Sequence, residues 1–168
     1  MKFLAVLLLL LTVVGCGYHF PAQGSALPGG VQKIFIPLFA NGTAEPRLEN
    51  YLSSKVSEVF ARNENLVQVE DRQQAEAVLE GVISSYRTRA YSYDKNDDIS
   101  EYRSTMVVNA KFRQIEDGRL LWQGQVSWDD EYPAADDKSL QEDFEQEAIE
   151  EISLRLAEEL FYRLLDDF

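Results

Sequence analysis

Apolar positions in the first half of the chain recur in runs that predict a strand, a helix and a second strand. Residues 31–39 form an apolar run rich in β-branched and aromatic side chains, which predicts a strand with Pro37 at its edge or near its end. Apolar side chains then recur at three- and four-residue spacing, which predicts an amphipathic helix over residues 46–62 with Pro46 in its first turn. Residues 66–69 predict a brief second strand.

The middle of the chain predicts two longer strands. The stretch over residues 77–93 begins as an apolar strand and becomes polar and tyrosine-rich towards its end. From Tyr102 onwards apolar and polar side chains alternate, which predicts a strand with one face towards the core. The residues of that face are Met106, Val108, Ala110 and Phe112.

A hairpin is predicted next, because Asp117-Gly118 separates two alternating runs. The strand that follows places Leu120, Trp122, Val126 and Trp128 on one face. We therefore predict that the two strands pair and that both tryptophans face the core.

The C-terminal part of the chain predicts a long helix. Ser139 followed by Glu142 matches a capping box at its start. The opposite side of this helix is dense in acidic residues, which is typical of a solvated face. The apolar side chains that form its stripe are Leu140, Phe144, Ala148, Ile152, Leu156, Leu160 and Leu164.

Together these elements predict an α+β fold in the order β-α-β-β-β-β-α. The expected architecture is a single two-layer domain over residues 31–168, with a mixed sheet of four to five strands and two helices packed on one face.

Composition and charge exclude several classes of function. The chain has 16 Lys and Arg against 29 Asp and Glu, a net charge of −13, which argues against binding to nucleic acids. One Cys and one His cannot form an internal disulfide or a multi-thiolate zinc site. The sequence has no phosphate-binding glycine loop and no catalytic motif, so we expect no cofactor, no metal and no enzymatic activity.

The chain begins with a segment typical of an exported lipoprotein. A basic start is followed by an apolar run over residues 3–14, which is too short to span a membrane. The run ends in Val-Val-Gly-Cys, which resembles the bacterial lipobox, in which the Cys16 thiol receives diacylglycerol before residues 1–15 are removed. Gly17, where retained lipoproteins often have Asp, favours the outer membrane, and residues 16–30 form a tether. The alternative is an ordinary secretory signal with an incidental Cys.

An acidic segment resembles the start of a calcium-binding loop. Asp94, Asn96 and Asp98 have the required spacing. Ile99 replaces the required Gly, and Thr105 stands where the final Glu is needed. The segment is therefore interpreted as a solvated hairpin tip.

Tyrosines and cations are concentrated around one predicted hairpin, although the chain is acidic. Tyr and Arg are enriched at interfaces, so this cluster is a candidate contact surface. The alternative is a twisted hairpin whose rings shield the sheet. The residues of the cluster are Tyr86, Arg87, Arg89, Tyr91, Tyr93, Lys95, Tyr102 and Arg103.

Several short segments, in their order and spacing, resemble lipopolysaccharide-assembly lipoproteins of the LptE family. The first is Cys-Gly-Tyr-His-Phe directly after the lipobox, and the similarity then extends over nearly the whole chain. The other matching segments are residues 34–37, 39–43, 45–49, 75–81, 101–103 and 117–122.

The resemblance implies a small two-layer α/β fold and a role in assembly. Proteins of this family sit in the lumen of the outer-membrane β-barrel LptD as a plug, and lipopolysaccharide (LPS) is a further candidate ligand. The resemblance places the protein at the outer membrane, lipid-anchored, in the periplasm or the barrel lumen.

The net negative charge repels polyanions at long range, so any LPS contact has to be local. The candidate cations are Arg87, Arg89, Arg103, Lys111 and Arg113. The alternative function is a general periplasm-facing scaffold lipoprotein of another envelope or secretion complex.

The lipobox generates a first prediction. Cys16→Ser removes the only thiol of the chain, so it should abolish lipid attachment and leave the fold intact. Metabolic labelling with a palmitate analogue measures this directly. Label retained by the variant would contradict the assignment.

Overall fold

A computed structural model describes residues 27–166 of the chain. Within this range the chain forms six strands and two α-helices. The strands are β1 (Lys33–Phe35), β2 (Ala40–Asn41), β3 (Val67–Gln68), β4 (Ala77–Tyr93), β5 (Ile99–Gln114) and β6 (Leu120–Pro133), and the helices are α1 (Leu48–Ala61) and α2 (Lys138–Asp166). The predicted signal peptide, Cys16 and most of the predicted tether lie outside the described residues.

The strands form one mixed sheet in the order β3-β1-β4-β5-β6, and β2 pairs with β4. β1 runs parallel to β3 and β4, whereas β4, β5 and β6 form an antiparallel meander. This confirms the predicted α+β class and the mixed sheet. The described residues contain one strand more than predicted, because the run over residues 31–39 supplies only β1 and β2 follows it. Pro37 lies between the two strands, where its missing N–H costs no ladder hydrogen bond.

Both helices pack on the same face of the sheet and close one hydrophobic core. In α1 the buried side chains Leu48, Leu52 and Val56 recur every four residues, as the pattern predicts. The helix begins two residues later than predicted, because Arg47 adopts a left-handed conformation (φ 68°). The two helices contact each other near their C-terminal ends, where the rings of Phe60 and Phe161 meet edge to face at 5.1 Å.

The buried stripe of α2 is shorter than predicted. Ile152, Leu156, Leu160 and Leu164 are fully buried, but Leu140 is 45% exposed and Phe144 is only half-buried. The first turns of α2 extend beyond the apolar part of the core, so their apolar side chains have little to pack against.

The predicted cap of α2 is wrong. The carboxylate of Asp137 accepts a hydrogen bond from the backbone N–H of Leu140 at 2.9 Å, so Asp137 is the capping residue. Ser139 and Glu142 both lie inside the helix, because it already begins at Lys138.

The hairpin of β5 and β6 is confirmed, with a continuous register from Glu101 opposite Pro133 to Phe112 opposite Trp122. Gly118 adopts a positive φ of 71° in the connecting loop. Trp122 is buried as predicted, but Trp128 is 41% exposed, so its assignment to the core is wrong. β6 is the last strand of the sheet, and a side chain there has a strand neighbour on one side only.

Charged side chains lie along the outer edge of β6, the last strand of the sheet. Arg163 of α2 donates a hydrogen bond to the backbone carbonyl of Gln125 at 3.2 Å. Asp129 and Glu131 are exposed on this strand, and burial raises the pKa of the Asp130 carboxyl, which lies between them. Charges on an edge strand disfavour pairing with a strand of another chain. The edge is therefore a poor docking site, whereas the outer face of the sheet is open.

Truncation of a fully buried α2 side chain should destabilise the protein. Leu156→Ala creates a cavity in the shared core and should lower the free energy of unfolding by about 2–5 kcal/mol. The exposed Glu147 on the same helix is the matched control, and Glu147→Ala should change it by less than about 0.5 kcal/mol. Urea unfolding measures both variants. Equal losses would show that the buried face of α2 is misassigned.

Candidate functional site

The outer face of β4 and β5 carries a shallow cationic groove of about 420 Å³. We define the cationic groove by four side chains, Arg87, Arg89, Tyr91 and Arg103. Ser85, Ala90, Thr105 and Val107 complete its lining. Both α-helices pack on the opposite face of the sheet, so neither of them covers the groove.

A β-bulge in β4 creates the groove. In the first half of β4 the odd-numbered side chains, such as Leu79 and Ile83, point into the core. The register with β5 shifts between Ile83 and Ser85, which leaves Ser84 as an extra residue. The Ser84 hydroxyl donates to the backbone carbonyl of Val107 at 3.2 Å and so ties the bulge to β5.

The bulge inverts the alternation of the strand beyond it. Tyr86 pairs with the buried Met106 and shares its inward face. Arg87 and Arg89 consequently point to the outer face. Without the extra residue the alternation would turn both arginines towards the helices.

A second irregularity closes the far end of the groove. The register shifts again between Ala90 and Ser92, which leaves Tyr91 without a partner in β5. The guanidinium carbon of Arg103 lies 3.8 Å from the centre of the Tyr91 ring, within the range of a cation–π contact. The groove therefore lies between two bulges, where the twist of the ribbon is increased.

The three arginines of the groove differ in how their charge is balanced. Glu131 of β6 pairs with Arg103, and its hydrogen bond raises the pKa of the Arg103 guanidinium above its usual range. Asp129 lies 3.5 Å from the same side chain. Among the described residues, no carboxylate lies within 4.0 Å of Arg87 or Arg89. These two guanidinium groups are exposed and are free to bind an anion.

The inner side of the same ribbon is polar and is held by α2. The hydroxyl of Tyr86 lies 3.0 Å from Oε1 of Glu145 and 3.0 Å from Oγ of Ser104. Thr88 Oγ1 lies 2.7 Å from Oγ of Ser104 and 3.2 Å from Oε1 of Glu145. Burial raises the pKa of the Tyr86 hydroxyl above its usual range, so the group stays protonated and donates. The structure thus places Tyr86 away from the groove.

The remaining candidates of the hairpin are dispersed. Tyr93 is 59% exposed near the tip, and Lys95 lies in the turn itself. Tyr102 faces inward and stacks on Tyr132, with ring centroids 5.9 Å apart. These residues do not join Arg87 and Arg89 in one site.

Lys111 and Arg113 share the outer face with the groove but lie far along it. Lys111 is eight residues from Arg103 in β5, which corresponds to about 26 Å. It borders a separate depression beside the exposed side chains of Leu38 and Val82. The five cations predicted to contact LPS therefore share one face of the sheet but do not form one site.

The acidic segment at the hairpin tip is used by the turn. The Asp94 carboxylate accepts hydrogen bonds from the backbone N–H groups of Asn96 (2.7 Å) and Asp98 (3.1 Å). These bonds hold the pKa of the Asp94 carboxyl below its usual value. Within residues 27–166, no group of three or more His, Cys, Asp or Glu side chains is arranged to hold a metal ion.

Sequence reasoning missed the bulge at Ser84. The core-facing residues Leu79 and Ile83 are odd-numbered, whereas the inward-facing Tyr86, which lies opposite the buried Met106, is even-numbered. In the sequence, the apolar alternation stops at Ile83. The two successive serines at the point of change are a weak but visible mark.

A family model described as LptE, lipopolysaccharide-assembly, matches residues 31–164. A comparison with curated proteins gives no match. In the described part of the chain, neither helix is long and apolar enough to cross a membrane.

Several solved structures are similar. An uncharacterized lipoprotein B from Nitrosomonas europaea is 15% identical with a TM-score of 0.60, over 87% of this chain and 90% of that chain. A putative lipoprotein from Caulobacter crescentus is 16% identical with a TM-score of 0.54, over 76% and 87% of the two chains. The rare lipoprotein B from Shewanella oneidensis is 13% identical with a TM-score of 0.51, over 79% and 93%. At these identities the similarity shows a shared fold.

The charge balance of the groove predicts different effects of two substitutions. Arg87→Gln with Arg89→Gln breaks no ion pair, so stability should change by less than about 0.5 kcal/mol. Arg103→Gln breaks the pair with Glu131 and the contact with Tyr91, so stability should fall. Thermal melting at low ionic strength measures both. A loss of stability in the double variant comparable to that of Arg103→Gln would show that Arg87 and Arg89 do have partners.

Proposed function

The chain belongs to the LptE lipopolysaccharide-assembly family, and we propose that it is an outer-membrane lipoprotein that plugs an LptD-type β-barrel and contacts LPS through the cationic groove. Membership confirms the resemblance recognised in the sequence. Because this family has no enzymatic activity, it also confirms the prediction that the protein is not an enzyme.

The observation that carries the LPS contact is the unbalanced pair Arg87 and Arg89 on an open sheet face. The planar fork of a guanidinium group binds phosphate through two parallel hydrogen bonds, and LPS carries phosphate groups. The two side chains are two residues apart on one strand and face the same way, so both can reach one anionic headgroup. The Asp129 and Glu131 carboxylates on β6 repel an anion from the far side of the groove and direct it towards β4.

The barrel contact is supported by the character of the same face. The lumens of wide outer-membrane barrels are polar, so a plug needs a polar surface that is not already covered. The outer face of β4, β5 and β6 has this property, since the helices cover only the inner face. The charged side chains along the edge of β6 disfavour an alternative contact in which this strand pairs with a strand of the barrel.

The lipid anchor at Cys16 sets how far this surface reaches from the membrane. A segment of this length, residues 16–26, can span at most about 40 Å. Leu27, the first described residue, is buried in the core. The lipobox and Gly17, which stands where retained lipoproteins often have Asp, support the proposed position at the outer membrane.

Loss of the groove arginines should weaken LPS binding. Arg87→Gln with Arg89→Gln should lower the affinity of the purified full chain for LPS micelles by about tenfold or more, because each lost charge-assisted hydrogen bond costs about 1.5–3 kcal/mol. Lys111→Gln with Arg113→Gln is the matched control, since it removes the same charge from the same face about 20 Å or more away along β5. Equal losses in the two variants would contradict a specific role for the groove.

The barrel contact is tested in cells. A photocrosslinking residue in place of Thr105, which lines the groove, should capture a large outer-membrane barrel or LPS. The same probe in place of the exposed Glu147 of α2 is the control. Capture by the helix position alone would overturn the surface assignment, and capture of another envelope protein at Thr105 would favour a general scaffold.

A further inference from the structure

The reverse side of the cationic groove is a small polar network in which α2 contributes one side chain, Glu145. The alternating inward residues of β4 in this region are Tyr86 and Thr88, and each of them precedes one of the groove arginines. Oε1 of Glu145 lies within hydrogen-bond distance of both hydroxyl groups, at 3.0 and 3.2 Å. One carboxylate oxygen therefore holds two consecutive inward positions of the strand.

The network also includes the opposite strand. Ser104 is fully buried and faces Thr88 across the ladder, and its Oγ lies 2.7 Å from Thr88 Oγ1 and 3.0 Å from the Tyr86 hydroxyl. The next residue back along β5 is Arg103, the third arginine of the groove. Glu145 thus holds, directly or through Ser104, the backbone positions adjacent to all three groove arginines.

These contacts distinguish two arrangements of β4, which differ in whether the even-numbered or the odd-numbered residues face inward. In the observed arrangement, with the extra residue at Ser84, the hydroxyl groups of Tyr86 and Thr88 point at Glu145. In a strand without the bulge, the inward positions would be taken by residues 87 and 89, and both hydroxyls would turn to solvent. The carboxylate has only acceptor sites, and it is satisfied here by donors from β4.

We propose that Glu145 is a positioning residue, whose hydrogen bonds from Tyr86 and Thr88 keep Arg87 and Arg89 on the outer face. It does not touch the ligand and acts through the backbone of β4. The inference rests on the proposed anion-binding function of the groove. It assigns to α2, on the far side of the sheet, a part in forming that site.

Electrostatics alone predicts the opposite effect, which makes the proposal testable. Removing a negative charge from an acidic protein should raise its affinity for an anion. If Glu145 positions the arginines, Glu145→Leu should instead lower the affinity for LPS micelles by about tenfold, the equivalent of one or two hydrogen bonds. Glu145→Gln retains an acceptor oxygen, so its affinity should stay within about twofold of the wild-type value.

A second pair of changes reaches the same contacts from the strand. Tyr86→Phe with Thr88→Val removes both hydroxyls and keeps the size of the side chains, so it should weaken binding to a similar extent and leave α2 unchanged. Amide hydrogen exchange at residues 85–89 should become faster in this variant and in Glu145→Leu. Glu147→Leu, on the exposed side of the helix, is the control. It should neither lower the affinity nor make the exchange faster.

The outcomes separate this inference from the function on which it rests. If Arg87→Gln with Arg89→Gln leaves LPS binding unchanged, the groove is not the binding site and the proposed function fails. If that double variant loses binding while Glu145→Leu and the Tyr86/Thr88 variant retain wild-type affinity and exchange, the positioning role is wrong. Glu145→Leu added to the arginine double variant should cause no further loss, and an additive loss would show that Glu145 acts elsewhere.

Discussion

One extra residue in β4 determines what the outer face of the sheet presents. Side chains alternate along a strand with a period of two, so a single insertion exchanges the two faces for every residue beyond it. Before Ser84 the odd-numbered residues of β4 build the core, and after it the odd-numbered residues build the cationic groove. The odd-numbered side chains of β4 therefore belong to the core in the first half of the strand and to a charged surface in the second half.

The inner face changes its chemistry at the same point. Up to Ile83 the inner face of the strand belongs to the hydrophobic core, and beyond it Tyr86 meets Glu145 of α2. This explains why the buried stripe of the helix stops short of its N-terminal turns and why Phe144 is only half-buried. Polar groups replace apolar packing there, and they are directional, so they specify which residues point inward where hydrophobic contact alone would not.

The regular parts of the fold could be predicted from the sequence because their periods are long and uninterrupted. The stripe of α1, the stripe of α2 from Ala148 onwards and the alternation of β5 each depend on a local repeat, and the structure confirms them. The exposure of Trp128 depends instead on β6 being the last strand of the sheet, which no local pattern records. Alternation alone separates Tyr86 from Arg87, but which of the two faces inward depends on the bulge. The bulge is defined by the register between β4 and β5, which is a tertiary contact.

The charge distribution limits the kind of anion that the groove can take. A net charge of −13 repels polyanions at long range, but salt screens this repulsion beyond about 8 Å, whereas an arginine fork acts at direct contact. A free polyanion approaching from solution therefore gains nothing until it touches the groove. An anion that a partner already holds next to the sheet meets Arg87 and Arg89 at once, and Asp129 and Glu131 close the side through which it could spread. Such a surface is better suited to an anion that a bound partner transfers to it than to one that it captures from solution by diffusion.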